Sequence, residues 1–190
     1  NIYPIFFKLL KKYDHLVLYL KPKKFSEIPQ IFYEDPEIKI FIKKNRIKLF
    51  AKSNKRISPH KIGQNSDLTV GMGISTAAAE CCFAGTISFH ADFTGFVNNE
   101  FANNALGKVV FRNVYDLEIA IENQILGKGI TYKECKNYHY FLDPFQDGKA
   151  YLRVGNILKE VQECLKQGIS NNDTLKKLKT NNGINNSLIN

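Results

Sequence analysis

None of the four cysteines, Cys81, Cys82, Cys135 and Cys164, belongs to a C-x-x-C pair, and the histidines do not repeat a zinc-ligand pattern around them. Neither a metal site nor a disulfide framework is therefore expected, and the cysteine usage points to a reducing cytoplasm. No apolar run reaches the length of a membrane-spanning helix. The aromatic start at 2–10 is broken by Pro4 and Lys8, so it reads neither as an anchor nor as a secretory signal. The absence of any Gly-Lys-Ser/Thr triplet excludes a Walker-type phosphate loop, and no internal repeat is present. No cofactor is expected.

Basic residues are plentiful. Lys and Arg number 27 against 18 Asp and Glu in 190 residues, a net charge of +9 that favours anionic partners such as nucleotides, nucleic acids or acidic lipid surfaces without choosing among them. Much of the excess precedes residue 61 and includes Lys8, Lys11, Lys12, Lys21 and Arg46. Solvated lysines are favoured over a dedicated polyanion patch. The length suits one domain of ordinary size, and the start at Asn1 without Met suggests a fragment.

Short apolar runs alternate with helical periods along the chain. Strands are expected at 15–20, 47–51, 68–70, 86–89 and 108–111, and helices at 4–13, after Pro36, from Ser58-Pro59 to Gly63, at 75–84, at 115–126 and from Ala150 to Gly168. The segment 52–56 reads as a basic loop and 93–106 as a loop with a helical turn. Beyond Ser170 the chain is Asn- and Lys-rich, with a last turn at 173–179 and a mobile end at 180–190. This alternation predicts a three-layer α/β domain with a mainly parallel sheet.

The organising stretch is 66–92, a strand, a glycine turn, a helix and a strand. Gly71 and Gly73 let the backbone approach a ligand, and Ser75 and Thr76 add hydroxyls beside the free N–H groups of a helix N-terminus, a cradle suited to diphosphate. A plain turn with an N-cap is the other reading. Glu80 lies one helical turn beyond Thr76 on the same face and can accept from a ribose diol. It interrupts an otherwise apolar helix that is expected to be buried. His60 and His90 read as polar residues on the ligand rim, and Asp147 as the cap of the long helix near the end. Gly71-x-Gly73 with Asp92 also partly matches a dinucleotide fingerprint, but Thr76 stands where its third glycine belongs.

Together, Ile57-Ser58-Pro59, Ser66-Asp67-Leu68-Thr69-Val70-Gly71-x-Gly73-Ile74-Ser75-Thr76-x-x-x-Glu80 and Gly85 before a strand resemble the C-terminal, nucleotide-sugar-binding domain of GT-B-fold glycosyltransferases. Leu106-Gly107-Lys108-Val109-Val110-Phe111 and Asp143-Pro144-Phe145-x-Asp147-Gly148-x-Ala150 are similar to bacterial surface-polysaccharide members of that group. The resemblance spans 16–168. It implies an α/β/α Rossmann-like domain, one half of a GT-B fold, at 1–169, followed by a tail at 170–190. It also implies that Gly71, Gly73, Ser75 and Thr76 hold the diphosphate with Lys21, that Glu80 holds the ribose, and that backbone near Ile57 meets the base. The missing Asp-x-Asp motif agrees with a donor diphosphate held without metal.

The implied partners are a nucleotide-sugar donor and, through a missing domain, a glycan or lipid-linked acceptor. No nucleic acid is expected. The location is cytoplasmic and compatible with peripheral contact with the inner membrane surface. The catalytic base belongs to a second α/β domain that these residues do not contain. Ser88 stands where the second acid of some retaining families falls, so the stereochemical outcome stays open. A nucleotide-sugar epimerase of similar fold and a non-catalytic binding or scaffold module are the alternatives.

Overall fold

Pro4 and Pro36 each stand in the first turn of a helix, where the missing N–H costs nothing. Helix α1, Tyr3–Lys12, buries Ile5, Leu9 and Leu10 along one side. Strand β1, Leu18–Leu20, follows, and helix α2, Pro36–Lys43, is capped by Asp35, whose carboxylate accepts from Glu37 N at 2.8 Å and Ile38 N at 3.3 Å. The remaining elements are β2 Ile47–Leu49, α3 Pro59–Gly63, β3 Leu68–Met72, α4 Thr76–Phe83, β4 Ile87–Ala91, α5 Glu100–Asn104, β5 Val110–Phe111, α6 Val114–Ile125, α7 Tyr132–His139, α8 Ala150–Lys166 and α9 Asn171–Asn181. The computed structural model describes residues 2–22, 34–50, 57–96 and 98–181. The sequence-predicted basic loop at 52–56 and nearly all of the predicted mobile end lie outside them.

The chain divides into two units, Asn1–Leu142 and Asp143–Asn190. The first holds all the described strands, in a two-stranded sheet, β1-β2, and a three-stranded sheet, β3-β4-β5. Every pair is parallel. β3 and β4 run in register from Leu68 opposite Ile87 to Met72 opposite Ala91, and β4 meets β5 through His90 opposite Val110 and Ala91 opposite Phe111. The protein is thus mixed α/β with two small parallel sheets, which agrees with the expected class at that level. Parallel neighbours require crossovers, and α4 supplies the one between β3 and β4.

One core packs Phe89, Val110, Leu117, Ile121, Cys82 and Cys135 with Ile5 and Leu9 of α1. A smaller one packs Leu10, Ile38 and Ile47, and Leu16 touches both. In the second unit, α8 and α9 pack together with Cys164 buried. Asp147 does not cap α8. Lys149 is the N-cap, and the Asp147 carboxylate holds the Arg153 guanidinium at 2.9 Å and the Lys149 N–H at 2.9 Å. No helix among the described residues is long and apolar enough to cross a membrane.

Part of the N-terminal basic charge is used internally. Lys8 pairs with Glu118, Lys11 with Glu37, and Lys12 with Glu122 at 2.5 Å, while Tyr13 donates to the same Glu122 at 2.6 Å. Arg46 lies over the Phe41 ring, and its guanidinium closes the end of α1. It donates to Leu10 O at 2.6 Å, Tyr13 O at 2.5 Å and Leu16 O at 3.2 Å. The carbonyls at a helix C-terminus lack internal donors, and a planar cation satisfies several at once. Arg46→Met is expected to lower stability by about 2 kcal/mol, with Arg46→Lys recovering only part, in urea-unfolding midpoints. Equal stability of all three proteins would refute the clasp.

Candidate functional site

β3 ends beside the N-terminus of α4. Gly73 turns the chain at φ +67°, a conformation that suits glycine, and its N–H is fixed by Ala91 O at 2.9 Å. Ser75 is the N-cap in extended conformation, and no side chain caps the helix. The first-turn N–H groups of α4 therefore have no intrahelical acceptor and lie at the carboxyl end of a parallel strand. Gly71 is required for a different reason from Gly73. A Cβ there would stand 2.7 Å from Ser75 Oγ and 2.8 Å from Ala78 Cβ, so glycine permits the helix to close on the strand.

The helix faces correct one expectation. Ala78, Ala79, Cys81 and Cys82 are buried, whereas Thr76, Glu80 and Phe83, spaced by four and three residues, face solvent. Glu80 is thus an exposed carboxylate one turn from Thr76, not an acid enclosed by apolar neighbours. Ser75 Oγ is buried under the turn without a hydrogen-bond partner and packs toward Gly71, so a χ1 rotation is needed to present it. Ile57 is half-buried just before α3, which packs on α4 with Gly63 against Cys81. Lys21 is exposed immediately after β1, and no hydrogen bond or ion pair joins it to the turn among the described residues. The structure therefore brings Gly71, Gly73, Ser75, Thr76 and Glu80 together and leaves Lys21 on the strand end of the other sheet.

Asp92 is not a free ribose acceptor. It is buried, accepts from Thr94 Oγ1 at 2.7 Å and lies 3.9 Å from Arg112 Nε, which removes support from the dinucleotide reading. His90 is not a rim residue either. It is fully buried in β4, with Nδ1 3.2 Å from Gly73 O and Nε2 3.1 Å from Nε2 of His139. The far side of His139 meets two thiols. Its Nδ1 is 2.9 Å from Cys135 O and 3.8 Å from Cys135 Sγ, which lies 3.8 Å from Cys82 Sγ.

Burial, with the neighbouring His139 ring next in weight, pushes the His90 imidazole down from 6.5 to about 4. In the thiol pair the Cys82 hydrogen bond, together with the His139 ring beside it and the Ser88 N–H, draws Cys135 below its ordinary range. Cys82 is pushed up, first by that same bond with Cys135 and then by burial.

This buried cluster depends on α7, a helix absent from the sequence-predicted elements. Its polar composition hides the apolar period, but Thr131-x-x-Glu134 is a capping box, with Glu134 N bonded to Thr131 Oγ1 and Thr131 N to Glu134 Oε2. That signal marks the helix start, and it places Cys135 and His139 four residues apart on one face. Comparison with protein-family models, curated proteins and solved structures finds no match to this chain.

Because the folded-state pKa of His90 is depressed, the unfolded chain binds its proton first. Its contribution to stability is full above about pH 6.5 and is lost as pH falls through about 4, a difference of about 3 kcal/mol. Urea unfolding in the presence of chelator is expected to show this loss, and His90→Phe to flatten the pH profile by a similar amount. A variant whose profile overlays that of the wild type would refute the assignment.

Proposed function

We propose that this chain is the donor half of a GT-B-like glycosyltransferase, a three-layer Rossmann-like domain that binds a nucleoside-diphosphate sugar for transfer to a surface polysaccharide or glycoconjugate precursor. The observation that carries it is the uncapped N-terminus of α4 behind Gly73, with Thr76 and Glu80 exposed one turn apart on the same face. Four residues of helix advance about 6 Å, the reach from a diphosphate to the ribose of the same nucleotide. The diphosphate takes the free N–H groups and the positive end of the helix, Thr76 Oγ1 adds a donor, and the Glu80 carboxylate accepts from the ribose diol.

In this reading Gly71 serves the site by letting α4 close on β3, Ser75 contributes after rotation, Lys21 approaches the phosphates, and backbone near Ile57 meets the base. The negative charge that develops on the departing nucleoside diphosphate is stabilised where the helix N–H groups already point. The catalytic base and acceptor site belong to a second domain. A cytoplasmic location, peripheral to the inner membrane surface for a lipid-linked acceptor, goes with that role.

Calorimetric titration of this chain with UDP, GDP and CDP is expected to give binding to at least one, in a range of roughly micromolar to millimolar Kd. Glu80→Ala is expected to weaken it roughly tenfold or more, and Thr76→Ala several-fold. No heat with any of the three nucleotides would sink the proposal, and unchanged affinity in both variants would move the site off α4.

A further inference from the structure

A second cluster of chemistry lies behind the turn. Among the described residues, Cys82 of α4 and Cys135 and His139 of α7 place three ligand-type atoms within 4.8 Å of one another, and all three residues are buried. The sulfurs are 3.8 Å apart. A tetrahedral ion bonded to two thiolates at about 2.3 Å holds them about 3.8 Å apart. Ser88 N–H points at Cys135 Sγ from 3.3 Å, a donor that suits a coordinated thiolate.

Hydrogen-bond accounting at the two imidazoles points the same way. With hydrogen on Nδ1, His90 donates to Gly73 O at 3.2 Å. A neutral His90 then presents only a lone pair at Nε2, so the proton in the 3.1 Å contact belongs to Nε2 of His139. That leaves His139 Nδ1 with a lone pair, 2.9 Å from Cys135 O and 3.8 Å from Cys135 Sγ. Two acceptors face each other there, an arrangement that a cation at Nδ1 relieves. Cys135 O, a carbonyl inside α7, keeps its ladder partner. Protonating both ring nitrogens satisfies the same contacts only by burying a charge.

We infer that Cys82, Cys135 and His139 bind one divalent, thiophilic cation of the zinc class, with His90 as the outer partner that sets the His139 tautomer. Two thiolates and a neutral imidazole around a divalent ion give a site of zero net charge, suited to complete burial, whereas a monovalent soft ion leaves a net negative charge. Binding forms two metal–sulfur bonds and one metal–nitrogen bond and releases two protons to solvent, that of Cys82 and the one held between Cys135 Sγ and His139 Nδ1. The His139 proton stays on the ring at Nε2. The metal would tie α4 to α7 and, through His90, brace the carbonyl of Gly73.

The test uses the full 190-residue chain, chelator-washed under a thiol-free reductant, with cobalt(II) as probe. One cobalt per chain is expected, with a thiolate-to-metal charge-transfer band, visible absorption of tetrahedral intensity, displacement by zinc and release of two protons per ion. Cys82→Ser and Cys135→Ser should abolish the charge-transfer band, while Cys81→Ser and Cys164→Ser retain it. His90→Phe should retain it with affinity lowered about 10- to 100-fold.

Wild-type protein that shows no thiolate band and releases no protons at stoichiometric cobalt would overturn the inference and leave an imidazolium–thiolate pair in the same geometry. The band intensity and proton count are read on the wild type, so they decide the matter even where a variant does not fold. Nucleotide binding is not needed for any of these measurements, so their failure and that of the donor site are separable.

Discussion

β4 carries the constraint on which the first unit depends. It pairs with β3 on one side and β5 on the other, and its residues from Ser88 to Ala91 are buried. A strand enclosed in this way must be apolar or must find partners for its polar side chains within the fold. Ser88 meets Thr69 Oγ1 at 2.6 Å and Thr86 O at 3.1 Å, and His90 meets Gly73 O and His139. These requirements bring α7 against α4 and β4 and fasten the glycine turn from below.

The candidate donor site inherits its rigidity from that arrangement. Gly73 is held through its N–H by Ala91 and through its carbonyl by His90, so both of its backbone polar groups are fixed by the buried strand. The surface above remains open because α4 turns Thr76 and Glu80 outward and its alanines and cysteines inward. A helix this rich in small residues can lie close to a sheet while it offers polar atoms on its other side. Gly71 and Gly63 serve the same close packing, one against Ser75 and Ala78 and the other against Cys81.

Charge follows a similar division. Lysines of α1 meet carboxylates of α6 and α2, and Arg46 is spent on helix-end carbonyls. Exposed pairs of this kind contribute little individually, and because their acids are already counted in the net charge of +9 the basic excess remains. Lys21, exposed after β1, is the basic residue that the donor reading still uses.

Local physics determined much of this protein from sequence. Proline in first turns, glycine at positive φ and period-specific apolar spacing marked the β3–α4–β4 unit, the flanking helices and the spacing of Thr76 and Glu80, because each depends on neighbours within a few residues. The direction of the strand pairing was also legible, since helices between short apolar runs call for parallel crossovers. Tertiary structure alone decided which face of α4 is wet, because a run of alanine and cysteine has little amphipathic contrast. It alone joined His90 to His139 and Cys82 to Cys135, residues 49 and 53 positions apart, since no local pattern encodes contacts made across a sheet.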